Sequence, residues 1–193
     1  MAVINLAQQL QSLFPGVISP PAEFRSELTL VVSDAQRIAE VCAQARDALK
    51  FDYLVDISSV DRYGDDPRFT VVYELYSHTH HEYLRLKTDV SEEKSELPSV
   101  AGLWSGANWH EREIFDMMGI RFTGHPDLRR IMMWEGYPHH PLRKDFPVAG
   151  KPTDLPEVAF SEPAPIEGGP FITATGAADA GQREPRAHES AAE

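Results

Sequence analysis

The stretch Tyr53–Asp89, YLVDISSVDRYGDDPRFTVVYELYSHTHHEYLRLKTD, decides the fold class. Residues 53–60, 68–77 and 82–89 are rich in Val, Tyr, Phe, Leu and Thr, side chains that suit a pleated surface, and they predict three strands. Asp61-Arg62-Tyr63-Gly64-Asp65-Asp66-Pro67 is a turn between the first two, and His78-Thr79-His80-His81 tips a hairpin joining the second and third. The His cluster invites a metal reading. Four adjacent residues at a hairpin tip do not supply the tetrahedral geometry of zinc without distant ligands, so a solvated turn is expected.

Upstream, Asn5 with Gln8 has the capping-box pattern, Leu6, Leu10, Leu13 and Phe14 recur at helical spacing, and Pro15-Gly16 ends the run. Residues 27–32 (ELTLVV) predict a strand. Ser33 and Gln36 repeat the capping pattern and open a helix to about Leu49, whose apolar stripe is Ile38, Val41, Cys42, Ala45 and Leu49. Cys42 therefore belongs to the core as an inert thiol, with no neighbouring cation to activate it. The order α-β-α-β-β-β predicts an α+β domain over residues 1–120, a mixed or antiparallel sheet with helices on one face, followed by an extended C-terminal arm.

The 193 residues are 42% apolar, enough for a core, and 30 acids against 18 Lys and Arg leave a net charge of −12. That balance argues against binding nucleic acid, which needs a basic face. No stretch approaches the roughly 20 apolar residues of a membrane span. The N-terminus has no cationic leader character and reads as mature protein. A single cysteine excludes an internal disulfide and a self-contained four-thiolate iron–sulfur cluster.

The informative segment is 104–147, WSGANWHEREIFDMMGIRFTGHPDLRRIMMWEGYPHHPLRKDFP. Asn108 is placed to cap a helix that Gly119 ends, with Ala107, Ile114, Phe115 and Met118 on one face. Glu111 falls within that stripe, whereas Arg112, Glu113 and Asp116 point elsewhere. Two readings of Glu111 stand: it completes a capping box with Asn108, or a cation holds it as a carboxylate inside an interface. His110-Glu111 does not begin a zinc-protease helix, because the second His would be residue 114, which is Ile114.

Beyond Gly119 the chain turns locally basic. Arg121, Arg129, Arg130, Arg143 and Lys144 face Asp127, Glu135 and Asp145, while four prolines deny the segment a long helix. Ile131, Met132, Met133, Trp134, Tyr137, Leu142 and Phe146 make it too apolar for disorder. Residues 121–150 are therefore expected as an extended arm packed on its own domain or, preferably, on a partner. Residues 151–173 are expected to be an extended segment, and 174–193 a disordered acidic tail. No dinucleotide-binding turn, phosphate loop or nucleophile elbow is present, so no catalytic, cofactor-binding or metal residue is expected.

Glu111-Arg112-Glu113-Ile114-Phe115-Asp116-Met117-Met118-Gly119-Ile120, then Phe122, His125-Pro126-Asp127-Leu128-Arg129-Arg130-Ile131, then Pro141-Leu142-Arg143-Lys144-Asp145-Phe146, resembles one family closely. That family is the 30 kDa-type subunit of NADH–quinone oxidoreductase (respiratory complex I). The resemblance implies a non-catalytic hydrophilic subunit of the peripheral arm, a peripheral protein on the cytoplasmic side of the bacterial inner membrane. It implies no cofactor in this chain, with FMN and iron–sulfur clusters in partner subunits, and packing against the larger subunit that helps form the quinone site. The whole assembly would pass electrons from NADH to quinone and couple this to proton translocation. The expected interface residues are Glu111, Arg112, Glu113, Asp116, His125, Arg129, Arg130, Trp134, Arg143, Lys144 and Asp145. The cations among them would meet carboxylates across or within the interface, and the acids would take counterpart cations. The sequence departs from the family pattern after Lys151, where Pro, Ala and Glu predominate. The rival readings are an equivalent subunit of a membrane-bound hydrogenase-type complex and, more distantly, a hydrolase using residues near 110–116.

Overall fold

A computed structural model describes residues 3–148. The chain divides into a first unit, residues 1–144, and a second, residues 145–193, of which 145–148 are described. The expectations for 151–173 and 174–193 lie outside the described residues.

Three strands carry the domain. β3 (Tyr53–Asp61), β4 (Phe69–Ser77) and β5 (Glu82–Val90) form an antiparallel meander, and β2 (Glu27–Val32) joins β5 in parallel. A short strand, β1 (Ala22–Phe24), pairs antiparallel with β2, so the sheet order is β1-β2-β5-β4-β3. Ile57, Tyr73, Leu86 and Leu30 are register partners across four strands and all are buried. Because side chains alternate, this row and its neighbours present one apolar face. The helices α1 (Val3–Leu13), α2 (Ile38–Asp47) and α3 (Ala107–Met118) contribute Leu6, Leu10, Val41, Cys42, Ile114 and Met118 to the same core. The other sheet face carries the Glu74–Arg85–Glu27 ion pairs and exposed Tyr83. The architecture is α+β, a mixed sheet with helices on one face, as the sequence predicts.

The differences are local. α1 begins at Val3, so Asn5 and Gln8 lie inside it. Asp34, not Ser33, accepts the Gln36 N–H at 3.1 Å, and it opens a short 3₁₀ turn, Ala35–Arg37, ahead of α2. Ser33 instead donates to the Val17 carbonyl. β1 is not foreseen because the turn closing it uses Arg25 and Ser26, both at positive φ, where Asn-Gly is the usual signal. Two further three-residue strands, β6 (Glu96–Pro98) and β7 (Arg121–Thr123), pair in parallel. They place Leu97 and Phe122 in the core and bring the chain leaving α3 back onto its own domain.

Candidate partner interface

α3 starts at Ala107 with Gly106 as its cap, two residues before the expected Asn108 cap, and ends at Gly119 in the left-handed conformation (φ 79°). Its stripe holds Ala107, Ile114 and Met118, with Phe115 only half-buried. A second face, Arg112, Asp116 and Met117, is buried as well. Helical periodicity does not foresee this, because the cover is the irregular strap of residues 124–144.

Asp116 holds the strap. Its Oδ2 accepts the backbone N–H groups of Ile131, Met132 and Met133 at 3.0, 2.7 and 2.9 Å, and Oδ1 accepts from Arg130 at 2.6 Å. Burial pushes this carboxyl's pKa up, but the three amides and the guanidinium together outweigh it and hold it below the usual carboxylate range. Such a run of N–H groups is an anion nest, here filled from within the chain. Arg112 lies across Trp109 and donates to the carbonyls of Arg129 (3.1 Å) and Arg130.

The strap also satisfies the carbonyls that a helix C-terminus leaves without partners. Asp116 O accepts from Arg130 and from the Nδ1 of His140, Met117 O from the Leu142 N–H, and Met118 O from Arg143 Nε at 2.6 Å. A Cβ on Gly119 would stand 2.6 Å from His140 Nε2 and 2.7 Å from Arg143 Nη2, so glycine is needed there for space as well as for φ. Arg143 lies over Phe69 and 3.6 Å from Glu92. The Lys144 amide donates to Asp61, which Arg68 holds in a bidentate pair with both contacts at 2.9 Å. The Arg68 hydrogen bonds and then this amide keep the Asp61 carboxyl low, against its burial.

Glu111, one turn earlier, is different. It does not cap the helix. Its carboxylate accepts from the Ser99 hydroxyl and the Val100 N–H, both at 2.6 Å, so it fastens the 99–101 turn to α3. His125 Nε2 is 3.8 Å away. His125 Nδ1 accepts the Asp127 N–H, which leaves the ring proton on Nε2, facing the Asn108 carbonyl at 3.2 Å. Burial lifts Glu111 to a pKa of about 7, and its two hydrogen bonds oppose this only in part. Burial likewise pushes the Cys42 thiol up, with Glu111 adding to it, as befits an inert core cysteine.

The structure thus gathers Glu111, Arg112, Asp116, His125, Arg130 and Arg143 around α3. Arg129 pairs with Asp127 in an exposed bidentate contact at 2.7 Å. Trp134 packs against Tyr137 at 4.5 Å between centroids. Glu113 and the Lys144 side chain are exposed, and Asp145 begins the second unit. Asp61, Arg68 and His140 also anchor the strap, and sequence reasoning missed them. Asp61 is the last residue of β3, far from the strap in sequence, and only the position of His140 beside the Pro141–Phe146 block could have signalled that residue. His78 of the hairpin tip pairs with Asp52, and His81 with Tyr76.

A mixed-sheet α+β domain whose third helix is clasped by an irregular, basic and aromatic strap is the class of protein the fold and site define. The family model described as respiratory-chain NADH dehydrogenase, 30 Kd subunit, matches residues 31–152, and the chain belongs to that family. An NADH-quinone oxidoreductase subunit of Roseiflexus sp. (strain RS-1) is 46% identical over 165 residues, 83% of this chain and 91% of the relative. One of Geotalea uraniireducens (strain Rf4) is 44% identical over 149 residues, 77% and 88% of the two chains. Among solved structures, the trypsin-resistant fragment (1-134) of Nqo5 aligns with a TM-score of 0.57 at 33% identity, over 66% of this chain and all of the fragment. A chain of an archaeal membrane-bound sulfane sulfur reductase shares the fold, with a TM-score of 0.65 at 20% identity over 76% of this chain and 86% of that one.

Proposed function

We propose that the chain is a non-catalytic, hydrophilic structural subunit of the peripheral arm of an NADH–quinone oxidoreductase. It would pack against the larger quinone-site subunit on the cytoplasmic side of the bacterial inner membrane. In this reading it holds no cofactor, and FMN and the iron–sulfur clusters belong to partner subunits. The assembly passes electrons from NADH to quinone and couples this to proton translocation. The observation that carries the reading is how the strap spends its polar groups. Its inward charges and amides go to α3, whereas Trp109, Met132 and Leu142 keep more than half of their surface exposed. Large exposed apolar side chains on an ordered frame mark a surface that a partner covers. Relatives named as subunits of NADH-quinone oxidoreductase, matched over about nine-tenths of their length, agree with this and weigh against the hydrogenase-type alternative. Among the described residues no helix is long and apolar enough to cross a membrane, consistent with a peripheral subunit.

The test is mild affinity purification of the tagged full chain from detergent-solubilised membranes of its host, with mass spectrometry and an NADH–quinone assay. Flavin and iron–sulfur subunits with a quinone-site partner, and activity, are expected. A nickel-bearing large subunit would move the chain to the hydrogenase-type branch, and recovery of the chain alone would overturn the reading.

A further inference from the structure

Among the described residues, β3 is the outermost strand of the sheet and pairs with β4 alone. Between its free side and α3 runs a groove of about 210 Å³, lined by residues 56–59 of the strand and by Glu113, Met117, Met118 and Leu142 among others. Side chains alternate along a strand, so four consecutive residues line one groove only where it follows the strand's edge. Such edges are normally bulged away, guarded by Lys or Pro, or covered. Here the bulge lies upstream, between Leu54 and Asp56, and residues 56–59 hold neither Lys nor Pro.

The walls of the groove are apolar, with two methionines able to adapt to a neighbour. Its rim is acidic. Asp56 stands 3.1 Å from His110 with its side chain 45% exposed, and Glu113 is exposed with no polar partner among the described residues. Residues 151–193 of this chain hold eight acids and three cations, and a second copy would bring the same acidic rim. Charge therefore disfavours both as occupants and favours a basic one.

We propose that this groove receives an extended segment of a partner subunit laid along the free edge of β3. A Lys or Arg side chain of that segment would run its stem over Met117 and Met118 and end at Asp56 and Glu113. Backbone pairing with the strand supplies attachment, and the acidic rim selects the basic side chain. The proposal rests on the reading of the chain as a subunit of a larger assembly.

The experiment uses the assembled complex purified through the tagged full chain. Ser58, exposed on the strand, is replaced by the photoreactive p-benzoyl-phenylalanine, and the crosslinked peptide is mapped. The expected adduct is a partner peptide with a Lys or Arg within a few residues of the crosslink. Glu113→Lys should lower the recovered complex at least 10-fold and Glu113→Gln less so, while Glu93→Lys, the same charge change at an exposed loop position, leaves it unchanged. Recovery of the complex without a Ser58 adduct, or at full yield with Glu113→Lys, overturns the groove assignment and leaves the assembly reading standing. An adduct to residues 149–193, to a second copy, or to a partner stretch without a basic residue also overturns it. Failure of the unaltered chain to bring down any partner overturns the assembly reading, and this proposal with it.

Discussion

Glu111 and Asp116 lie on the same helix and both are fully buried, yet burial prevails at Glu111 and is overcome at Asp116. The difference is in the donors. Glu111 has a hydroxyl and one amide, whereas Asp116 has three amides and a guanidinium. Those three amides come from an irregular stretch with no strand or helix to satisfy them, so acid and strap each remove the other's unpaired groups. The early part of α3 thus carries an acid that its surroundings tolerate as the neutral form. The late part carries a charge on which the strap is built. Burial alone does not set a carboxyl's state; the number and kind of donors brought to it does.

The largest test of this contrast is Asp116→Ala, which strands Arg130 and three amides. A loss of about 3–5 kcal/mol in denaturant unfolding is expected, with faster amide exchange at 131–133. A loss below about 1 kcal/mol would mean the strap holds without the acid.

The second test is pH. Glu111 is raised from 4.5 to about 7, so between those values the folded chain keeps a proton that the unfolded chain releases. Its contribution to stability is whole below about pH 4.5 and is lost as pH rises through 7, a change of about 3 kcal/mol. Asp116, held low, acts with the opposite sign, present at neutral pH and lost in acid. Unfolding of wild type and Glu111→Gln across pH 4.5–8 should give a difference that grows with pH in favour of the glutamine variant. A constant difference would dissolve the contrast.

Gly119→Ala probes the Asp116 end without touching the acid. Positive φ and the collision with His140 and Arg143 should cost about 2 kcal/mol, read as a lower melting temperature. Wild-type stability would show that those two caps are dispensable. The smallest effect belongs to the Glu111 end. Tyr73 buries its hydroxyl with no hydrogen-bond partner among the described residues, and burial, with Cys42 and Glu111, raises its pKa. Tyr73→Phe should therefore change stability by no more than about 1 kcal/mol, in either direction. A loss beyond about 2 kcal/mol would show that the hydroxyl has a polar role near Glu111.

Much of the fold was legible because its signals are local. The composition of 53–61, 69–77 and 82–90 marks strands, the stripe Ile38–Val41–Cys42–Ala45 marks a buried helix face, and Gly119 marks a helix end. β1, β6 and β7 were not legible, since three residues show no periodicity and the β1–β2 turn uses Arg-Ser. The candidate site was legible as a segment but not as a set of bonds. The strap's mixture of Arg, Trp, Met and Pro requires cover, and sequence leaves open whether its own domain or a partner provides it.

By itself, then, the sequence determined the α+β class, the core faces and the segment that bears the site, because each follows from side chains near one another along the chain. Only the tertiary structure decided that β2 runs parallel to β5 and that Asp61 meets the Lys144 amide. It also decided that Asp116 and Glu111, two acids of one helix, answer burial in opposite ways. Those outcomes depend on which donors the fold brings to an atom from distant parts of the chain, and no local pattern encodes that count.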